Sequence, residues 1–265
     1  MAFDINNFVI DRVVRGVALS QKDDSVLFSI NQMQNVSLNC ASESADAVDA
    51  LGTPIATFYR AKSAEFSAEN ALFDMNLMAT QLGTKKKVAS ATEKILVPAM
   101  ESFTVGNDRT YELKHAPKAA PTEIYELNSD STFGIKYSKK TAAGDGVFSV
   151  AERVLSLPTN VEIGTEMFVM YEYETENAVE VVNSATEFPV GCKFVMEVLG
   201  CDVCDQTNLI YAYVVFPNFK LSPDFDWSVA TDGTHPFSGK AQQDYCDKEK
   251  KLFNIIIPGD EEVTE

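Results

Sequence analysis

The sequence has few of the residues on which catalysis and nucleic-acid binding usually depend. It contains two histidines, His115 and His235, a single tryptophan, and 22 Lys and Arg against 39 Asp and Glu, a formal net charge of −17. Any Ser/His/Asp or Cys/His mechanism would need one of the two histidines, and each lies in a segment typical of a surface or a turn. The sequence therefore predicts no catalytic residue and no enzyme activity.

Nucleotide-binding and hydrolase motifs are missing as well. Gly239-Lys240 lacks the leading glycine and the following Ser or Thr of a phosphate loop, and the chain has neither GxGxxG nor GxSxG. The acidic balance also disfavours a protein that grips nucleic acid or anionic membranes through a positive field. We expect no cofactor. The charge suits a surface past which a polyanion moves without sticking, although solubility alone would explain it equally well.

Long apolar runs are missing too. No run approaches the roughly 18 to 20 residues that a membrane-spanning helix needs. The opening segment carries Asp4 and Asp11, which a secretory signal would avoid. We expect a protein that is made soluble in the cytoplasm and has no membrane partner.

The cysteines do not form a recognisable framework. There are five, an odd number, which fits free thiols in a reducing compartment better than a set of disulfides. Cys201-x-x-Cys204 could join Cys192 and Cys246 in a four-thiolate zinc site. A zinc ribbon normally supplies two close pairs, however, and here two of the thiols are single and distant. We predict no metal site.

Strand signals dominate what is present. Segments rich in aromatic and β-branched residues, often alternating with polar ones, recur between residues 25 and 174. Turn sequences such as Gly106-Asn107-Asp108 separate them at intervals of roughly ten residues. Two long apolar strands, 191–200 and 208–217, are expected to be covered on both faces, either at the centre of a sandwich or at an intersubunit contact. The pattern predicts a mainly β fold, an antiparallel β-sandwich or barrel.

One or two short helices complete the prediction. Residues 42–51 begin with Ser42 as a possible N-cap and end at Gly52. A second helix is predicted from about Asn70 to Leu82, with apolar residues at helical spacing that are expected to lie in the core.

Charge is distributed unevenly. Residues 83–140 hold ten Lys and Arg against seven acids, whereas residues 151–190 hold eight Glu and one Arg. Such a shift indicates a change of surface role, or a separately evolved insertion, near residues 85–180. At the end of this region, alternation predicts a strand with one aromatic face, including Phe168, and one face bearing Glu172, Glu174 and Glu176. This row is either an ordinary solvated face or an acidic stripe on a channel or assembly surface.

The layout of residues 25–83 resembles the opening of tail tube proteins of tailed bacteriophages. A strand is followed by a polar segment, a short Asp-rich helical turn ending in Gly, a long strand with a K-x-A-x-F element, here Lys62 to Phe66, and a helix. The segments Tyr211–Asn218 and His235–Gly239 also resemble phage tail and virion proteins.

The resemblance implies a β-sandwich or barrel domain formed by residues 1–84 and 181–265, with 85–180 as an inserted β-rich, immunoglobulin-like module. It also implies copies of the chain joined in rings, usually hexameric, that stack into a tail tube through which DNA passes without specific binding. Other tail proteins would be partners, and the protein would reside in the virion tail. Glu172, Glu174 and Glu176 would then be candidates for a lumen-facing stripe. The alternatives are another virion component, such as a capsid decoration or adhesion protein, and, less favoured, an enzyme or small-molecule binding protein.

Overall fold

The computed structural model describes residues 5–245 and 248–259. Strand accounts for 55% of the protein and helix for 3%, which confirms the predicted mainly β class. The elements of the described residues follow in chain order: β1 (Phe8–Ser20), β2 (Val26–Ile30), β3 (Met33–Val48), β4 (Pro54–Asn70), α1 (Met75–Leu82), β5 (Lys87–Val88), β6 (Ile95–Thr104), β7 (Thr110–Glu112), β8 (Glu123–Leu127), β9 (Phe133–Lys139), β10 (Val147–Ala151), β11 (Val154–Ser156), β12 (Glu166–Thr175), β13 (Val179–Glu180), β14 (Gly191–Asp202), β15 (Asp205–Leu221), β16 (His235–Ala241) and β17 (Asn254–Ile256).

The chain divides into two compact units. The discontinuous unit comprises the described residues up to Lys86 and from Val181 onward, and the continuous unit comprises Lys87–Glu180. The origin of the continuous unit as an inserted, immunoglobulin-like module stays a prediction.

In the discontinuous unit, one sheet has the strand order β2-β1-β14-β15-β16-β4-β3, and β17 pairs with β15. Phe28 of β2 contacts Phe237 of β16 edge to face, with ring centroids 6.4 Å apart, although three strands separate β2 from β16 in the sheet. The sheet must therefore curve around its core. Phe66 lies at the centre of that core, with four other phenylalanine rings 5.4 to 6.0 Å from its own.

The long apolar strands β14 and β15 alternate more than their sequences indicate. Phe194 and Phe216 are fully buried in the core. On the opposite face Val195 pairs with Val215 across the two strands, and both are half-buried. Within the chain, therefore, the core fully covers one face of β14 and β15, and the expected cover of their opposite face is incomplete.

Helix α1 is shorter than predicted. It begins after Asp74, whose carboxylate accepts hydrogen bonds from the backbone N–H groups of Asn76 and Leu77, and it ends at Gly83 with φ +74°. Leu77 is buried in the core, whereas Leu72 precedes the helix and is 60% exposed. The first turn of the predicted helix is thus not helical, because Asp74 supplies the cap.

The continuous unit has its own sheet, with the order β6-β12-β8-β9-β10-β11-β7, and its own core around residues such as Ile124, Phe148 and Met167. Its ends are joined by a two-stranded pairing in which Val88 of β5 lies opposite Val179 of β13.

A carboxylate lies inside this unit. Glu101 is 3% exposed, and its side chain accepts hydrogen bonds from the hydroxyls of Tyr171 and Tyr111 and from the backbone N–H of Lys114. Burial by itself would raise the pKa of Glu101, but these three donors outweigh it and lower that pKa. Burial and the adjacent carboxylate raise the pKa of both tyrosines to about 12. The cluster connects β6, β7 and β12, and no pattern in the sequence predicts it.

Candidate assembly surfaces

The hairpin of β3 and β4 continues well past the core. From Ala41 to Ala61 all residues are exposed, whereas Ala64, Phe66 and Ala68 further along β4 are buried. A bulge marks the boundary, where Ala61 has φ +48° and the register shifts between Ala41 and Glu43. About twenty residues therefore form a two-stranded projection that has no core of its own.

This projection contradicts the helix predicted over 42–51. Residues 43–48 pair instead with residues 54–60 in an antiparallel ladder. At the tip the Asp49 carboxylate accepts hydrogen bonds from the N–H groups of Leu51 and Thr53, and Gly52 has φ +86°. The predicted stop residue, Gly52, is in fact part of a hairpin turn, whereas the predicted cap, Ser42, lies at the bulge at the other end of the projection. Cross-strand pairing outweighs the local helix signals.

The side chains of the projection are unusually apolar for so exposed a segment. Leu51 is 91% exposed, Tyr59 72% and Ile55 71%. On one face Ala45 pairs with Phe58, and on the other Ser44 pairs with Tyr59. Isolated two-stranded hairpins are marginally stable in water, and exposed apolar patches mark interaction sites. The hairpin is therefore suited to pack against another surface.

The sheet of the discontinuous unit also has open edges. β2 and β3 are its terminal strands, and within residues 5–245 and 248–259 no strand pairs with the outer side of β3. Edge strands offer a row of backbone donors and acceptors to another chain. The outer side of β3 is sixteen residues long, so it is a large pairing surface.

The acidic stripe lies in the continuous unit. Glu172, Glu174 and Glu176 are all exposed, the first two on β12 and the third just after it. Glu174 forms an ion pair with Lys118, and the Glu176 carboxylate lies 3.2 Å from the Lys94 ammonium. Two of the three charges are therefore balanced locally.

The face of β12 that carries these carboxylates is also not purely acidic. Phe168 and Met170 are an even number of residues from Glu172, so they lie on its face, while Val169 and Tyr171 point into the core. The expected separation of an aromatic face from a carboxylate face is wrong for Phe168. Met170 is 51% exposed, and Met100, paired with it on β6, is 65% exposed.

The histidines differ in environment. His115 is exposed and stacks on Tyr173. His235 was expected at a surface or turn but is 1% exposed, as the first residue of β16. Its Nδ1 accepts a hydrogen bond from the Asp74 N–H at 3.3 Å, and its Nε2 lies 2.8 Å from Gln81 Oε1. With Nδ1 as the acceptor, Nε2 carries the proton and donates to Gln81. His235 therefore joins β16 to both ends of α1.

The described candidate cysteines differ in location and burial. Cys201 is the penultimate residue of β14, Cys204 lies in the turn that follows, and Cys192 is buried with its pKa raised to about 12 by burial. Cys246, the fourth candidate zinc ligand, lies outside the described residues. Among the residues that are described, no group of three or more His, Cys, Asp and Glu could hold a metal ion.

Comparison with known families gives a match over nearly the whole chain. The model of the YomU/Tube protein family covers residues 8–255, both units included. The chain belongs to this family, a family of phage tail tube proteins. No curated protein matches the chain.

Membership gives this tail tube protein a structural role in the virion tail, as the sequence resemblance predicted. In the described part of the chain, no helix is both long and apolar enough to cross a membrane. The surfaces available for a structural role are the projecting hairpin, the open edges of β2 and β3, and the faces of the two sheets.

Proposed function

We propose that the protein assembles with copies of itself into stacked rings, and that these form a phage tail tube through which DNA passes. The observation that carries the proposal is the β3–β4 hairpin, an extended, apolar segment that reaches beyond the only core to which it is attached. Family membership supplies the structural context. Catalysis has no part in this function, and hexameric ring symmetry is part of the proposal.

The energetics favour a partner for the hairpin. Leu51, Ile55, Phe58 and Tyr59 are each more than half exposed. Complete burial of such side chains contributes about 1.5 to 3 kcal/mol apiece, an upper estimate for each. Such contacts, repeated in every protomer of a ring, would offset a large part of the cost of association between neighbouring protomers.

The open edge of β3 favours the same assembly. Joining the sheet of one protomer to the next would satisfy the free backbone groups of the outer side of β3, and closure into a ring would leave no edge for uncontrolled pairing. The acidic composition is compatible with passage of DNA, because strong adhesion requires phosphate contacts by Lys and Arg.

The test is polymerisation of purified protein, with and without Ile55→Asp, followed by sedimentation and negative-stain electron microscopy. We expect the unmodified chain to form rings or tubes and Ile55→Asp to remain dispersed but folded by circular dichroism. Ile163→Asp is a matched control, since Ile163 is 57% exposed and lies in the continuous unit. A 29.1 kDa monomer under all conditions, including with tail initiation components, would refute the proposal. Monomers that coat capsids would instead support a decoration protein.

A further inference from the structure

The outer face of the sheet in the discontinuous unit differs in chemistry between its two halves. On β1, β14 and β15 the outer face includes the cross-strand row Val17, Val195 and Val215, all half-buried. On the parts of β3, β4 and β16 that cover the core, the outward side chains are mostly hydroxyl, amide or charged, with Pro236 as an apolar exception and Glu69 as a further acid. We call the latter the polar face and define it by Ser37, Asn39, Glu65, Ser67, Ser238 and Lys240.

The register of β3, β4 and β16 places the side chains of the polar face next to one another. Ser67 of β4 lies opposite Ser37 of β3 on one side and Ser238 of β16 on the other. Glu65 lies between Asn39 and Lys240 in the same way. The alternate residues of β4 and β16, such as Phe66 and Phe237, are buried in the core, so the outward direction of this face is fixed.

The charges on this face cancel locally. The Lys240 ammonium lies 2.7 Å from the Glu65 carboxylate, and this hydrogen bond raises the pKa of Lys240. The other four members are uncharged. A passing phosphate would therefore meet no unpaired cation, and the counterion release that drives protein–DNA adhesion would be small.

The polar face also lies at the open edge of the sheet, where a neighbouring protomer could join it. β3 is both one of its strands and the terminal strand of the sheet. If neighbouring protomers join along β3, the sheet continues from one protomer into the next, and the polar faces extend together around the ring. The valine row lies on β15, β14 and β1, which are three, four and five strand positions from β3, and it has the apolar character of a protein contact.

We infer that the polar face is the channel wall of the tube, the surface along which DNA moves. This rests on the proposed tube and names the surface of the chain that meets the DNA. It favours the discontinuous unit over the stripe Glu172, Glu174 and Glu176, whose face also carries exposed Met100 and Met170.

Size-selective labelling tests the assignment. The background variant carries Ser in place of Cys40, Cys201, Cys204 and Cys246, and it keeps Cys192, which is buried and has a raised pKa. A single thiol is then introduced by Ser67→Cys, which changes only the hydroxyl. Tubes confirmed by electron microscopy are treated with N-ethylmaleimide or with a maleimide on a long polyethylene glycol chain, and monomers are treated in parallel.

We expect the monomer to react with both reagents, and the tube to react with N-ethylmaleimide but to resist the polymer-linked reagent at least tenfold. Glu172→Cys in the same background is the matched comparison and should react with both in the tube. Reaction of Ser67→Cys with both reagents would place it on the outside, and reaction with neither would place it in a subunit contact; each result overturns the inference while leaving the tube intact. Absence of tubes from the unmodified protein would overturn the proposed function itself.

Discussion

Lowering the pH should destabilise the discontinuous unit through His235. Burial lowers the pKa of this imidazole below its usual 6.5, and the nearby Asp74 carboxylate only partly opposes that effect. Since the folded state binds the proton less readily than the unfolded chain, the stabilising effect of neutral His235 is complete above pH 6.5 and is lost as pH falls toward the lowered folded-state pKa. Protonation would also place two donors, Nδ1–H and the Asp74 N–H, against each other.

The magnitude follows from proton linkage. One group that is protonated only in the unfolded state removes at most about 1.4 kcal/mol for each pH unit below its unfolded pKa. Between pH 7.5 and 5.5 we therefore expect His235 to remove on the order of 1 kcal/mol from the free energy of unfolding. Carboxylates titrate mostly below this window, so His235 should dominate the change there.

Trp227 makes the measurement local. It is the only tryptophan of the chain, and its ring stacks on Phe73, which in turn stacks on His235 with ring centroids 5.1 Å apart. Urea unfolding followed by tryptophan fluorescence at several pH values gives the pH slope of stability for this unit. His235→Gln keeps a donor toward Gln81 but cannot titrate, so its slope should be nearly flat. Parallel slopes for the two proteins would refute the reasoning.

Further predictions concern the continuous unit, the thiols and assembly. Glu101→Gln should lower the free energy of unfolding by about 3 kcal/mol, because an amide cannot accept hydrogen bonds from all three donors around it. Urea unfolding monitored by near-ultraviolet circular dichroism measures this loss. The control Glu123→Gln, at an exposed ion pair, should change the free energy of unfolding little. Replacement of Cys201 and Cys204 by Ser should leave the melting temperature almost unchanged; stoichiometric zinc by elemental analysis, or unfolding on chelation, would contradict it. Six copies at −17 each bring a charge of −102 into a ring, and the copies therefore repel one another. Raising the salt concentration to about 0.15 M, where the Debye length is about 8 Å, screens this repulsion and should promote polymerisation measured by light scattering. Inhibition of polymerisation by salt would contradict this prediction.

Much of the fold could be predicted because the alternation of apolar and polar residues along a strand indicates directly which side chains are buried. In Lys62-Ser63-Ala64-Glu65-Phe66, Ala64 and Phe66 are buried and Glu65 is exposed, as a strand with one core face requires. The projecting hairpin could not be predicted in the same way. Neither of its faces meets the chain's own core, so residues 42–51 carry no alternation, and Ser42 as a possible N-cap with Gly52 as a stop indicated a helix instead.

The candidate surfaces were predicted less well, because they depend on contacts between distant segments. The exposure of Glu172, Glu174 and Glu176 followed from the sequence, but the lysines that pair with two of them lie 56 and 82 residues away along the chain. His235 reads as a turn residue from Thr234 and Pro236, and only its pairing with Asn70 across β16 and β4 shows that it is buried. The polar face likewise needs the register of three strands before Ser37 and Ser238 become neighbours.

The short pairing of β5 with β13 bears on how such a chain can evolve. Lys87 lies opposite Glu180, so the continuous unit of 94 residues leaves the rest of the chain and returns to it at adjacent points. A segment whose ends meet in this way can be gained, lost or replaced by another domain in a single recombination event, without altering the spacing of the strands on either side. Tail proteins with the same discontinuous sheet could therefore differ in what they carry at this junction, from a short turn to a whole domain, while keeping one scheme of assembly.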